Sequence, residues 1–201
     1  MKEIYKFDNN VIVSNRIPIA GRCYGAAIAY TKNIFEGKEA TPIREDIANL
    51  IQNQYLLSSD KSSDQRNNEI YTCHGLKATE TIQRTSFIDI LKYLDQKHKN
   101  NQYGVYHIRL IHEIEGSHRL VFNIQKNNST FFDSNIGLFT LENDDNNFTK
   151  ELGYINKIFN NVYIDPFNNF ESIKIEPLQP SSSLLFANHD KKSNTEPTFT
   201  S

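Results

Sequence analysis

The sequence predicts an α+β fold in which an N-terminal helical part packs on a C-terminal antiparallel sheet. Apolar residues recur every three or four positions over residues 23–35, 43–56 and 86–94, which indicates helices with one buried face. From Tyr103 onward the apolar period changes to two, which is typical of strands. Helices followed by a run of strands favour the α+β class, with a site in the cleft between the two parts.

Local signals bound the predicted helices. The first ends near Gly37, because glycine is favoured just after a helix. The second begins after Pro42, which fits before or within a first helical turn. Thr85 or Ser86 caps the third, since a hydroxyl there accepts a hydrogen bond from a free backbone N–H group. The polar stretch 58–68 lacks an apolar period and is predicted to be a loop.

The second half of the chain is predicted to be mostly strands. They cover residues 103–114, 118–125, 130–133 and 137–141, and a helix near 148–159 and short strands at 162–164 and 173–175 follow. Residues 1–179 are expected to form a single domain. Residues 180–201 are rich in Ser, Asn and Lys and are expected to form a polar tail.

Composition excludes several functional classes. The chain has 201 residues and a net charge of −2 without a basic block, so nucleic acid is not an expected partner. No apolar run reaches the roughly 18 residues of a membrane span. The charged N-terminus does not fit a classical signal peptide, and two cysteines make no disulfide framework. We find no cofactor motif and expect neither a cofactor nor a metal; the oligomeric state is open.

Cys23 is the candidate nucleophile. It lies at the start of a helix of small residues, where the helix dipole and free N–H groups favour the thiolate that a nucleophilic cysteine needs. The backbone N–H of Cys23 is placed to stabilise an oxyanion there. His118 and Asp133, each at one end of a predicted strand, are the candidate base and the residue that orients it.

The spacing of His118 and Asp133 predicts a hairpin register. A two-residue loop would place Asp133 opposite Phe122, roughly 13 Å along the strand from His118. A four-residue loop at 125–128 places Asp133 opposite Leu120 instead. His118 is then its diagonal neighbour on the same face, with backbones roughly 7–8 Å apart. A working Cys-His-Asp triad therefore requires the longer loop.

Three short stretches resemble the YopT/AvrPphB-type cysteine proteases, a papain-like group of bacterial effectors and toxins. They are residues 21–25 (Gly-Arg-Cys-Tyr-Gly), 117–121 (Ser-His-Arg-Leu-Val) and 132–139 (Phe-Asp-Ser-Asn-Ile-Gly-Leu-Phe). The resemblance covers roughly residues 15–140, and its most specific part is the run Asp-x-Asn-x-Gly-x-Phe after a strand.

The resemblance implies a papain-like fold, a Cys23-His118-Asp133 triad and cleavage of a host protein by a virulence factor. It also implies synthesis in a bacterial cytoplasm and secretion into a host cell. Such enzymes often carry an amide side chain before the cysteine as a second oxyanion donor. Asn15 is the nearest upstream candidate.

Other readings of the same residues remain open. Related papain-like effectors use the triad as glutamine deamidases, transglutaminases or acyltransferases, and an inactive module could bind a host protein through its cleft. Cys73, followed by His74 and Gly75, is a rival nucleophile without a helix beginning at it. A metal site from His107, His112, His118 and Cys73 matches no common zinc spacing. Glu113 and Glu115 either solvate a turn or select a basic substrate side chain.

Overall fold

The computed structural model describes residues 1–7, 13–14, 17–18, 22–84, 86–112, 116–142, 145–163 and 172–181. Its helices are α1 (Cys23–Phe35), α2 (Glu45–Leu57), α3 (Ser63–Cys73), α4 (Phe87–Lys99) and α5 (Asp145–Tyr163). Its strands are β1 (Lys2–Tyr5), β2 (Val13–Ser14), β3 (Ile17–Pro18), β4 (Leu76–Ala78), β5 (Ile82–Arg84), β6 (Gly104–His112), β7 (Gly116–Ile124), β8 (Ser129–Asp133), β9 (Gly137–Leu141) and β10 (Ser172–Pro180).

One antiparallel sheet organises the described part of the chain. Its strands follow the order β1-β9-β8-β7-β6-β10-β4, with β5 also paired to β10, while β2 and β3 pair separately. The long strands β6, β7 and β10 lie at the centre. Mixed helix and antiparallel sheet confirm the predicted α+β class.

Helices cover both faces of the sheet. Helices α4 and α5 pack on one face, where Leu120 and Phe122 of β7 contribute to an apolar core. Helices α1, α2 and α3 pack on the other, where Val121 of β7 joins a second core. Successive residues of β7 thus point to opposite faces of the sheet, as the apolar period of two predicts. The helical part is thus not confined to the N-terminal side, because α5 follows the hairpin strands and α4 packs beside it.

Helix α1 approaches α2 very closely at Gly25. A Cβ atom at this position would lie 1.9 Å from the carbonyl oxygen of Ala48. The N–H of Gly25 donates to the side-chain oxygen of Gln52 at 3.1 Å, which satisfies one of the free N–H groups at the start of α1. Any side chain at this position would clash with α2, so glycine is required for the two helices to cross this closely. The crossing fixes where the N-terminus of α1 lies.

The predicted loop at 58–68 was wrong. Helix α3 begins inside it, because Ser62 and Gln65 form a capping box in which each side chain bonds the other's backbone N–H. Ile70 and Tyr71 then bury the last turn of α3 against the sheet. The helix is polar on most of its surface, so its apolar period was too weak to recognise.

The predicted strand at 162–164 was also wrong, because helix α5 continues to Tyr163. Its buried positions keep helical spacing to the last turn: Phe148, Leu152, Ile155, Phe159 and Tyr163. The short strands β1, β4 and β5 were not predicted; each has only three or four residues. Pro180, assigned to the tail, is the last residue of β10 and pairs with Leu76. Residues 182–201 lie outside the described residues.

Candidate active site

The hairpin of β7 and β8 has the register that a His118–Asp133 contact requires. Residues 125–128 connect the two strands, and Asn128 adopts a positive φ of 60° in the turn. Asp133 pairs with Leu120 across the ladder, as predicted from the four-residue loop. His118 precedes Leu120 by two residues in β7 and lies on the same face of the sheet, within reach of the Asp133 carboxylate.

His118 and Asp133 are in direct contact. The Nε2 atom of His118 lies 2.9 Å from Oδ1 of Asp133. The Asp133 side chain is fully buried and that of His118 is 10% exposed, so little water screens the pair. The backbone N–H of Asn135 donates to the same carboxylate oxygen at 2.8 Å. This bond holds Asp133 in place from the tight turn between β8 and β9.

Cys23 is the first residue of α1, and its thiol lies beside the start of β7, where His118 is located. The Cys23 Sγ lies 3.7 Å from the carbonyl oxygen of Ser117, the residue directly before His118. Cys23 is 9% exposed. Helix α1 packs on one face of the sheet and His118 lies on the other, so the two residues meet at the end of the sheet where β7 begins.

The electrostatics of this pair favour charge separation. Burial alone would raise the pKa of the Cys23 thiol. The hydrogen bond and charge of His118, followed by the backbone and charge of Arg119, nevertheless lower that pKa below its usual value. Burial likewise opposes charge on His118, yet Asp133 and then Cys23 raise the imidazole pKa to about 10. A thiolate beside an imidazolium is the expected form near neutral pH.

Tyr163, at the end of α5, completes the contacts around His118 and was missed in the sequence. Its hydroxyl donates to Oδ2 of Asp133 at 2.7 Å and lies 2.9 Å from Nε2 of His118. The Asn135 side chain donates to the same hydroxyl at 3.0 Å. The signal that identifies Tyr163 is its helical spacing from Phe159, which the β-branched neighbour Val162 obscured.

Arg119, next to His118, enters a buried ionic network on the other side of the sheet. It contacts Oε2 of Glu176 at 2.9 Å and Oδ1 of Asn67 at 2.9 Å, and it bonds the hydroxyl of Tyr71. Arg109 reaches the second oxygen of Glu176 at 3.2 Å. The Arg119 cation is held by a carboxylate that is itself 4% exposed, and its charge helps to lower the pKa of the Cys23 thiol.

The other predicted positions either lie outside the described residues or make their described contacts elsewhere. Asn15, the candidate oxyanion donor, and the acidic pair Glu113 and Glu115 lie outside the described residues. Cys73 is exposed at the last position of α3. His107 is fully buried, and its Nδ1 lies 3.1 Å from Nη1 of Arg119.

The described residues form neither a metal-binding cluster nor a membrane-crossing helix. Within the described ranges, His, Cys, Asp and Glu side chains form no group of three or more that could hold a metal ion. Each helix of those ranges is too short or too polar to cross a membrane.

Comparison with known proteins finds a likeness of fold but not of sequence. No family model matches the chain, and no curated protein matches it in sequence. The crystal structure of the Pseudomonas avirulence protein AvrPphB is similar, with a TM-score of 0.56 and 11% sequence identity. The match covers 78% of this chain and 92% of that one. At this identity the likeness concerns the fold alone.

Proposed function

We propose that this protein is a cysteine protease with a papain-like arrangement, in which Cys23, His118 and Asp133 act as nucleophile, base and orienting carboxylate. The observation that carries the proposal is the 2.9 Å contact between Nε2 of His118 and Oδ1 of Asp133, with the Cys23 thiol 3.7 Å from the carbonyl oxygen of the preceding residue, Ser117. The fold likeness to AvrPphB supports it, since AvrPphB belongs to the protease family that the three sequence stretches resemble.

The proposed reaction uses this chain's own groups at each step. The Cys23 sulfur attacks the carbonyl carbon of a substrate amide, and the free N–H groups at the start of α1 stabilise the oxyanion. The imidazolium of His118 then gives its proton to the leaving amine. Water, deprotonated by neutral His118, hydrolyses the thioester and frees the sulfur. Asp133 keeps the imidazole oriented throughout.

The proposal extends to substrate, location and domain limits. A protein of a host cell is the expected substrate, reached after secretion from a bacterial cytoplasm, by analogy with effectors of the family. Residues 1–179 act as one catalytic domain, because β10 lies inside the sheet between β6 and β4. Asn15 remains the candidate for the second oxyanion donor.

Labelling of new protein N-termini tests the proposal. The parent protein and its Cys73→Ala variant are each incubated with an extract of eukaryotic cells, and newly formed N-termini are identified by mass spectrometry. We expect the same new termini with both proteins and none with Cys23→Ala or His118→Ala. Cys73 is the matched control, because it is the other cysteine of the chain and is exposed.

Two outcomes contradict the protease assignment. Conversion of substrate glutamine to glutamate without new N-termini, lost in Cys23→Ala, identifies an amidohydrolase on the same residues. No chemical change in the extract, together with retention of an extract protein by both the parent and Cys23→Ala, identifies a binding module.

A further inference from the structure

Three polar groups of the described residues lie within hydrogen-bond distance of the Tyr163 hydroxyl, which has only one proton to give. It lies 2.7 Å from Oδ2 of Asp133, 2.9 Å from Nε2 of His118 and 3.0 Å from Nδ2 of Asn135. An ionised carboxylate can only accept, and the amide nitrogen of Asn135 can only donate. The phenol proton therefore points to Asp133, and the phenol oxygen accepts from Asn135.

This arrangement decides the tautomer of His118. Because the phenol proton is committed to Asp133, the remaining contact with His118 requires that Nε2 carries a hydrogen and donates it. Oδ1 of Asp133, 2.9 Å from the same nitrogen, is also an acceptor. The Nε2–H group is thus shared between two acceptors, and Nδ1 is left for the proton of the Cys23 thiol.

The phenol keeps its proton over the whole working range. Burial, followed by the charge and hydrogen bond of Asp133, raises the pKa of Tyr163 far above its usual value. The ring is also held in place, since it packs on Phe159 with centroids 4.8 Å apart and lies 5.4 Å from the His118 ring. Tyr163 is therefore a fixed, neutral donor and acceptor beside the pair.

We propose that Tyr163 is a positioning residue of the site, whose hydroxyl fixes His118 as the Nε2–H tautomer and holds its ring against the Asp133 carboxylate. The inference rests on the proposed function for its catalytic meaning. It assigns the asparagine of the Asp-x-Asn-x-Gly-x-Phe run a task as well: Asn135 orients the Tyr163 oxygen. Helix α5 thereby becomes part of the site, although it lies outside the three stretches that suggested the function.

The test removes one hydroxyl group and keeps the ring. Tyr163→Phe is made in the Cys73→Ala background, so that Cys23 is the remaining thiol. Nitrogen-15 NMR of the His118 ring is recorded above pH 10, where the imidazole is neutral, and reports its tautomer. The rate of Cys23 alkylation by iodoacetamide is followed against pH. Tyr154→Phe is the matched control, because it removes a hydroxyl from a 54% exposed tyrosine of the same helix.

We expect Tyr163→Phe to give a mixture of His118 tautomers and to reduce the alkylation rate at neutral pH about 3- to 10-fold, as loss of one buried hydrogen bond implies. The acid limb of the pH profile moves to higher pH, because a loosely held imidazolium stabilises the thiolate less well. Asn135→Ala shifts both readouts in the same direction by a smaller amount. Tyr154→Phe changes neither.

A merely structural role for Tyr163 would leave both readouts unchanged, because phenylalanine preserves the ring contacts. An unchanged tautomer and an unchanged pH profile in Tyr163→Phe overturn the inference. If the parent thiol reacts as an ordinary cysteine, the proposed function fails, and the tautomer of His118 still decides the role of Tyr163. The two failures are therefore distinguishable.

Discussion

The two faces of the central sheet differ in what they bury. The face under α4 and α5 is apolar at its centre, around Leu120 and Phe122, and the charged pair of His118 and Asp133 lies at its end, where β7 begins. The face under α1, α2 and α3 mixes apolar residues with buried charge, including Arg119 and Glu176. Strands that look alike in the ladder thus support one face with an apolar centre and one face with an ion pair among its central strands.

The buried ion pair of the charged face affects the candidate site more than it stabilises the fold. A buried ion pair adds little net stability, because the desolvation of both charges offsets most of their attraction. The pair of Arg119 and Glu176 nevertheless holds a fixed cation directly after His118 in the chain, and that cation helps to lower the pKa of the Cys23 thiol. The apolar face instead supplies Tyr163, which reaches the site from α5.

The largest effect is expected from neutralising the carboxylate of the charged face. Glu176→Gln leaves Arg119 and Arg109 without a counter-charge in a buried setting, which should reduce the free energy of unfolding by about 3–5 kcal/mol. Ile175→Val, the neighbouring residue of β10 on the apolar face, is the control and should cost about 0.5–1.5 kcal/mol. Equal costs in urea denaturation would contradict the distinction between the faces.

A smaller loss is expected where α1 crosses α2. Gly25→Ala forces a Cβ atom into the Ala48 carbonyl, so the helices must separate, at a cost of about 1–3 kcal/mol. Gly153→Ala is the matched change in α5, where nothing lies within 4 Å of the added atom. It should stabilise by about 0.5–1 kcal/mol through helix propensity. Thermal unfolding of both variants checks the sign, and a stabilised Gly25→Ala would refute the close crossing.

The smallest effect concerns acid stability. Burial opposes charge on Glu176, but Arg119 and Arg109 hold its pKa below the usual 4.5. A carboxyl whose pKa is depressed by folding stabilises fully above its unfolded pKa, and this stabilisation is lost as the pH falls through the folded value. Below pH 4.5, the parent should therefore lose stability more steeply than Glu176→Gln, by up to about 1.4 kcal/mol per pH unit. Parallel curves from denaturation at several pH values would exclude Glu176 as a source of acid sensitivity.

The sequence predicted the apolar face and the hairpin better than the charged face. Period-two alternation over β6, β7 and β9 and the spacing of His118 and Asp133 are local properties, and the ladder confirms the register of Leu120 with Asp133. The ionic network joins residues far apart in the sequence, such as Tyr71 and Glu176 at a separation of 105 positions, and no local period encodes it.

Prediction of secondary structure from the sequence failed where a helical segment is mostly polar or contains a β-branched residue. Helix α3 is specified by the capping box at Ser62 more than by apolar spacing, and the last turn of α5 contains Val162, which favours strands. Packing on the sheet overrides both preferences. Tyr163 was missed as a consequence, although its hydroxyl lies as close to Nε2 of His118 as Oδ1 of Asp133 does, at 2.9 Å.

The pH dependence of Cys23 alkylation tests the central claim that a thiolate and an imidazolium form at the end of the sheet. The rate is measured with iodoacetamide from about pH 5 to about pH 11 in Cys73→Ala, with and without His118→Ala. We predict substantial reactivity well below the usual cysteine pKa of about 8.5, and at least a tenfold loss near pH 6 when His118 is removed. Identical profiles for the two proteins, rising only near or above pH 8.5, would contradict the account.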